Sequence, residues 1–349
     1  MINTKTLVIT PEILQIISEI DEFKGAWHLL GRLPPDRLAA LRKVAAIESI
    51  GASTRIEGSK ISNREVETLL SRLDAYAFLS RDEQDVAGYA FLCGEVFEKF
   101  ETLSFTESTI KQFHGWILKF SDKSTHHRGE YKKLPNYVEA FDKEGKSLGA
   151  IFETPPPLEI PLKMQEFVSW TQQTLNAKLH HPLLVIGVFL GVFLMIHPFQ
   201  EGNSHLSRVL TTLLLLKSGY AYVPYGSLES VIESNKDNYY LALKETQQTL
   251  KTDHPDWTPW VLYFLKSLQH QKRLLEQKIM REKALSLDIS ELSATLIRLT
   301  QEHGRLSIRQ LEIMAKANRS TIKKHLQKLV QSNQLLRHGK GKASAYTVA

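Results

Sequence analysis

The chain has 349 residues, 42% of them hydrophobic, which supports a substantial core and, on length alone, about two or three domains. One cysteine, Cys93, excludes an intrachain disulfide, and no Cys/His spacing of the zinc-site kind is present, so a reducing, cytoplasmic setting is expected. The formal net charge of +6 is modest for this length and gathers mainly toward the C-terminus.

In chain order, "MINTKTLVITPEILQ" lacks the basic-then-apolar order of a signal peptide. Apolar spacing near 3.6 predicts helices over "PEILQIISEIDEF", "REVETLLSRL" and "KDNYYLALKETQQTL". Cys93 falls on the apolar face of "VAGYAFLCGEVFEKF", as a buried thiol would. The exception to helical spacing is "HHRGEYKKLPNYVEAFDKEGKSLGAIFETPPP", residues 126–157, where glycine and proline break any helix and "NYVEAF" and "GAIFE" read as strands of a β-hairpin flap. The longest apolar run, Pro182 to Ile196, falls short of the ~18 to 20 residues that span a bilayer and predicts a buried core helix.

"PFQEGNSH" separates that run from a second apolar helix starting near Ser204. Polar groups between two buried helices are costly unless paired. Gly202 and its small neighbours let successive backbone N–H groups converge on an anion at the start of that helix. Glu201 offers a hard carboxylate suited to Mg²⁺, Asn203 a side-chain donor, and Arg208 a guanidinium one turn further on. His197, ending the preceding helix, has an imidazole able to take a proton near working pH. Alone, His197 would read as a capping residue; the grouping within twelve residues points to a nucleotide site.

"HPFQEGNSHLSR" resembles the signature of the Fic family, His-Pro-Phe-x-Asp/Glu-Gly-Asn-Gly-Arg-x-x-Arg, at His197, Pro198, Phe199, Glu201, Gly202, Asn203 and Arg208. The resemblance implies an all-helical core that transfers AMP from ATP and Mg²⁺ to a Ser, Thr or Tyr hydroxyl of a protein. It implies His197 as general base, Glu201 as Mg²⁺ ligand, Gly202 and Asn203 as phosphate binders, Arg208 as partner of the ATP tail, and Phe199 as the anchor of the loop. "HHRGEYKKLPNYVEAF" resembles the family's flap, which holds a target segment by strand addition, and "SNKDNYYLAL" its adenine-pocket segment, with Tyr239 and Tyr240 as base contacts or core aromatics. "STRIEG", with Ser53, Glu57 and Gly58, resembles the inhibitory helix motif Ser/Thr-x-x-x-Glu-Gly/Asn. Upstream of the catalytic motif, it implies that Glu57 pairs with Arg208 and denies it to the γ-phosphate.

Two positions depart from the signature: its second glycine is Ser204 and its first arginine is His205. Serine resists the positive φ that glycine permits, so Ser204 is expected to act as an N-cap. A neutral imidazole supplies at most one donor where arginine offers a charged fork, a loss of roughly 1.5 to 3 kcal/mol at a phosphate. Weak transfer, another phosphate donor and binding without transfer all stay open.

From Arg305 to Lys342 ten cationic residues face one acid, Glu312. The order of helices over "SELSATLIRLTQEHG", "SIRQLEIMAKA" and "NRSTIKKHLQKLVQSN", followed by strands around "HGKGKAS", matches a winged helix-turn-helix. Arg319, Ser320, Thr321, Lys323 and Lys324 open its recognition helix, and "RHGKGK" forms its wing, so duplex DNA is the expected partner of residues 287–349, with protein docking or dimerisation the other use of such a module.

The expected fold is therefore mainly α: an N-terminal helical region (1–109) with an inhibitory helix at about 45–60, a Fic-type core (110–270) with its hairpin flap, a connecting helix (271–286) and a winged helix domain (287–349). The expected substrates and partners are ATP with Mg²⁺ (Ser204 and His205 counted among the residues facing it) and a target hydroxyl held at residues 126–140. Self-modification and a homodimer stay open, and no membrane is expected. The alternative function is a DNA-binding regulator whose core binds nucleotide with little or no transfer.

Overall fold

The computed structural model describes residues 2–30, 33–72, 80–121, 125–141, 146–250, 252, 254–287, 291–331, 334–339 and 344–348. They form two compact units, Met1–Glu276 and Gln277–Ala349. The first contains α1 (Pro11–Leu30), α2 (Pro35–Ile56), α3 (Asn63–Leu70), α4 (Arg81–Lys99), α5 (Glu107–Ile117), the hairpin β1 (Tyr137–Phe141) and β2 (Ser147–Glu153), α6 (Ile160–Ala177), α7 (Pro182–Ile196), α8 (Asn203–Lys217), α9 (Leu228–Ser234) and α10 (Lys236–Thr249). A long helix, α11 (Thr258–Leu287), runs from the first unit into the second.

The apolar run Pro182 to Ile196 is the central core helix α7, buried from Leu183 to Ile196. Its two glycines explain how α11 packs so closely: a Cβ at Gly191 would lie 2.7 Å from Trp260 Nε1, and one at Gly187 2.9 Å from the Phe264 ring. The indole N–H of Trp260 donates to the Gly187 carbonyl at 2.8 Å. Among the described residues no helix is long and apolar enough to cross a membrane.

Local signals set the ends of the helices that surround the site. Ser62 with Glu65 and Ser80 with Glu83 form capping boxes at the starts of α3 and α4. Helix α2 stops where Gly58 takes φ +95°. Its last turn is held by Arg55, which grips Glu233 of α9 with Nε and Nη2 at 2.5 and 2.9 Å and also donates to the Ile61 carbonyl.

The hairpin occurs where the sequence predicts it, antiparallel with Tyr137 opposite Glu153 and irregular register at Val138/Glu139 and Ala140/Phe141. Its turn, 142–145, lies outside the described residues. Helix α3 is shorter than its periodicity suggests, and Cys93 is half-buried instead of buried, although burial still pushes its thiol up.

The second unit contains α12 (Glu291–His303), β3 (Leu306–Ser307), α13 (Ile308–Ala315), α14 (Arg319–Gln331), β4 (Leu335–His338) and β5 (Ala345–Val348), with an antiparallel sheet in the order β3-β5-β4. Leu296, Leu311, Ile322, Leu326 and Leu335 fill its separate core. The predicted helices and the last two strands are present; the two-residue β3 was too short to leave a periodic signal.

Candidate active site

The turn between α7 and α8 is built by three residues. His197 takes a left-handed conformation, φ +48°, and its N–H closes α7 on the Phe193 carbonyl at 2.9 Å. Gly202 takes φ +73° and caps α8. Asn203 locks the loop between them: its Oδ1 accepts from the Phe199 N–H at 2.9 Å and its Nδ2 donates to the Phe199 carbonyl at 2.7 Å.

This geometry corrects two expectations. Ser204 lies within the first turn of α8, so no positive φ is asked of it and it is not the N-cap. The Asn203 amide is committed to the loop backbone at both ends, so what this residue offers an anion is its backbone N–H. The first N–H groups of α8 do fit the anion-binding role, because a helix start has no internal carbonyls to satisfy them.

The turn opens on a cavity of about 700 Å³, lined by His197, Glu201, Gly202, Ser204 and His205, by Glu57 after α2, by Arg81, Asp82 and Asp85 of α4, and by β1. His197 Nδ1 lies 3.2 Å from the Leu194 carbonyl, which can only accept, so the proton sits on Nδ1 and Nε2 keeps its lone pair. Burial, with the charge of Lys132 adding to it, pushes this histidine down to about 4. Lys132 is itself buried between Asn136 Oδ1 and Thr154 Oγ1, both at 2.6 Å, and burial lowers it to about 8.

Glu201 is held by Arg81 Nη2 at 3.2 Å. Burial raises Asp85 to about 6, Glu201, Asp82 and Glu57 adding to the effect while Arg81 opposes it. Among the described residues no three His, Cys, Asp or Glu side chains are grouped to hold a metal on their own.

Arg208 is 4% exposed and does not reach the cavity surface. Its Nη2 meets Glu57 Oε1 at 3.1 Å and the Ser53 carbonyl at 3.1 Å, while Nε donates to Ser53 Oγ at 2.9 Å. Burial works against its charge, but Glu57 and its neighbours outweigh that and raise its pKa. The predicted Glu57–Arg208 pair is thus present in the geometry. His205 Nδ1 stands 2.8 Å from Ser53 Oγ and 3.3 Å from Arg208 Nη2. Arginine only donates, so Nδ1 accepts and the His205 proton sits on Nε2; burial, then Arg208, hold this imidazole neutral.

The two tyrosines assigned to the base do not line the cavity. Tyr239 is buried against Trp260, ring centroids 5.5 Å apart, and Tyr263, and Tyr240 donates weakly to the Ile56 carbonyl at 3.5 Å. Core packing is the reading the structure supports for Tyr239, whereas Tyr240 is half-buried at the end of α2. Sequence reasoning missed Arg81, Asp85, His114 and the burial of Lys132. Arg81 meets Glu201 across 120 positions of chain, a distance at which no periodicity or spacing gives a signal.

On the second unit, Arg319, Ser320, Thr321, Lys323 and Lys324 are all exposed on α14. Arg319 and Lys323 join Arg309 and Arg337 around a groove of about 960 Å³; Ser320, Thr321 and Lys324 are not among its lining residues. Ser344 Oγ accepts from Arg337 Nε and Nη2 at 3.2 and 2.9 Å, fixing that guanidinium. Lys340 and Lys342 of the expected wing lie outside the described residues.

In this helical fold the turn thus presents a neutral histidine, a carboxylate and a helix start to one cavity bordered by the hairpin. Residues 104–215 match the profile of the Fic/DOC family, and the chain carries a Fic domain of that family. A probable protein adenylyltransferase of Aquifex aeolicus is 29% identical over 100 residues, 29% of this chain and 28% of that protein. The protein adenylyltransferase Fic of Aedes aegypti is 27% identical over 188 residues, 52% of this chain and 34% of that protein. The matches thus span about a third of the length of these relatives. The crystal structure of a Fic family protein from Desulfovibrio desulfuricans superposes with a TM-score of 0.64 at 25% identity, over 98% of this chain and 97% of that one. A Fic domain containing signaling protein from Bacteroides thetaiotaomicron shares the fold, with a TM-score of 0.59 at 20% identity over 75% of this chain and 97% of that one.

Proposed function

We propose that this protein transfers AMP from ATP to a Ser, Thr or Tyr hydroxyl of a protein, and that Glu57 holds it back. The observation that carries the reading is His197: a neutral imidazole with Nδ1 bound to the Leu194 carbonyl and Nε2 bearing the lone pair in a cavity. Nε2 takes the proton of the target hydroxyl as its oxygen bonds to the α-phosphorus; the bond from that phosphorus to the bridging oxygen breaks, and pyrophosphate leaves with the electron pair. The N–H groups opening α8 stabilise phosphate charge. Glu201 fits a magnesium ion shared with phosphate oxygens and water, the sparse protein ligation this ion takes beside nucleotides, and such an ion would neutralise charge on the leaving group.

Arg208, paired with Glu57 and Ser53, is not free to meet the γ-phosphate. Replacing Glu57 with Gly removes the charged partner and opens the space. Incubation with ATP and Mg²⁺ followed by intact-protein mass spectrometry tests both halves of the proposal. Glu57→Gly should gain one AMP by self-labelling, and Glu57→Gly/His197→Ala should gain none. Equal labelling of wild type and Glu57→Gly would remove the inhibitory role; no labelling in either, with ATP bound, would remove AMP transfer.

The target hydroxyl is proposed to lie along the flap at 126–140, where β1 borders the cavity. A second reading, a DNA-binding regulator with a weak transferase core, is favoured by the neutral His205 in place of a charged arginine and by the basic groove on the second unit.

A further inference from the structure

We infer that His114 is a positioning residue that sets the catalytic loop and the flap at one fixed height relative to each other. The inference rests on reading the cavity as a site of AMP transfer. His114 is on α5, outside the signature and the flap, and is fully buried. Its ring stacks on Phe199 with centroids 3.9 Å apart and planes 12° from parallel.

Both ring nitrogens are used. The Gly129 N–H donates to Nδ1 at 3.0 Å, so Nδ1 carries the lone pair; the proton is therefore on Nε2, which donates to the Glu201 carbonyl at 3.2 Å. Only the neutral Nε2–H form makes both bonds, and burial pushes this histidine down to about 4. Gly129 starts the flap and Glu201 carries the loop's carboxylate, so one imidazole spans the two segments that meet at the reacting atoms.

A Cβ at Gly202 would meet His114 Cδ2 at an ordinary contact distance of 3.7 Å, while one at Gly129 would lie 3.1 Å from the Lys111 carbonyl, so the start of the flap runs close against α5. Other links between flap and loop, Lys132 N–H to the Pro198 carbonyl, Asn136 Nδ2 to the Phe199 carbonyl and Leu134 N–H to Gln200 Oε1, hold the loop's first half. His114 fixes its second half, where Glu201 and the start of α8 lie. Misplacement of about 1 Å there costs rate on the order of a hundredfold.

The test uses the full chain in the Glu57→Gly background with three substitutions. His114→Phe keeps the ring on Phe199 and removes both hydrogen bonds; His114→Asn places an acceptor near the Nδ1 position; His114→Gln places a donor near the Nε2 position. Amide hydrogen exchange over 129–132 and kcat against KM for ATP are measured alongside thermal unfolding. In His114→Phe, exchange over 129–132 should quicken at least tenfold and kcat should fall at least tenfold, with KM for ATP within threefold. His114→Asn should restore slow exchange, and His114→Gln should recover part of kcat.

Unchanged exchange in His114→Phe, or an equal loss in all three variants that follows only their melting temperatures, would overturn the inference. If the Glu57→Gly parent shows no AMP transfer, the functional reading fails, and the exchange results still decide whether His114 ties flap to loop.

Discussion

Three histidines near the cavity, His114, His197 and His205, are held neutral by burial, and different partners fix their tautomers: a flap amide and a loop carbonyl, a helix carbonyl, and a serine with an arginine. Each has its pKa lowered in the folded chain. Unfolded histidines take up protons near pH 6.5, so between that pH and about 4 the unfolded chain binds more protons than the folded one. Stability should therefore be complete above pH 6.5 and fall as pH drops toward 4, His114 alone accounting for about 3 kcal/mol at the acid end. Urea unfolding at pH 7, 5.5 and 4.5 measures this, and a His114→Phe variant should show a shallower acid slope. The acid limb of kcat/KM, if His197 is the base, belongs well below pH 6; a limb at 6.5 would show that burial does not act on it in this way. That His197 and Glu201 share one cavity was legible because their spacing is local. His114 was not, since its partners Gly129 and Glu201 lie 15 and 87 positions away.

Among the elements, the last turn of α2 is the one on whose docking the proposed inhibition depends. Arg55 grips Glu233 of α9, and Lys236 Nζ reaches the Arg55 carbonyl at 3.4 Å. Arg55→Ala should loosen this turn without touching Arg208, giving AMP labelling between that of wild type and Glu57→Gly in the same mass measurement. Glu57→Gly should lower stability by about 1 to 3 kcal/mol as activity rises, because Arg208 stays buried without its carboxylate; a gain in activity with no stability loss would mean Arg208 had found another anion. The hairpin and the stop at Gly58 were legible from turn residues. The Ser204 expectation failed because the positive φ in the turn falls on His197 and Gly202, a distribution that residue types alone do not specify.

For the whole molecule, the order of elements was legible in the residue pattern, while the start of the long connecting helix was not. The polar stretch 271–286 reads as a connecting helix running into a separate unit; α11 begins earlier, at Thr258, and the division between the units falls at Glu276/Gln277, within that stretch. If the second unit holds duplex DNA, Arg309 and Arg337 contribute phosphate contacts from the groove they share with Arg319 and Lys323. Each contact adds about 0.9 to the slope of log affinity against log salt, so Arg309→Ala/Arg337→Ala should flatten that slope by about 2. Anisotropy titrations of a labelled duplex with the full chain check this; an unchanged slope would take the groove out of the contact.

The backbone at His197 carries a further consequence. A residue closing a helix at φ +48° occupies the conformation that glycine enters freely and other residues reach at a cost of about 1 to 2 kcal/mol. His197→Gly should accordingly be more stable than His197→Ala by about 1 kcal/mol, although neither has an imidazole. Durability alone would favour glycine at this position; its histidine is held against the preference of its own main chain, as an imidazole needed for the proposed proton transfer would have to be.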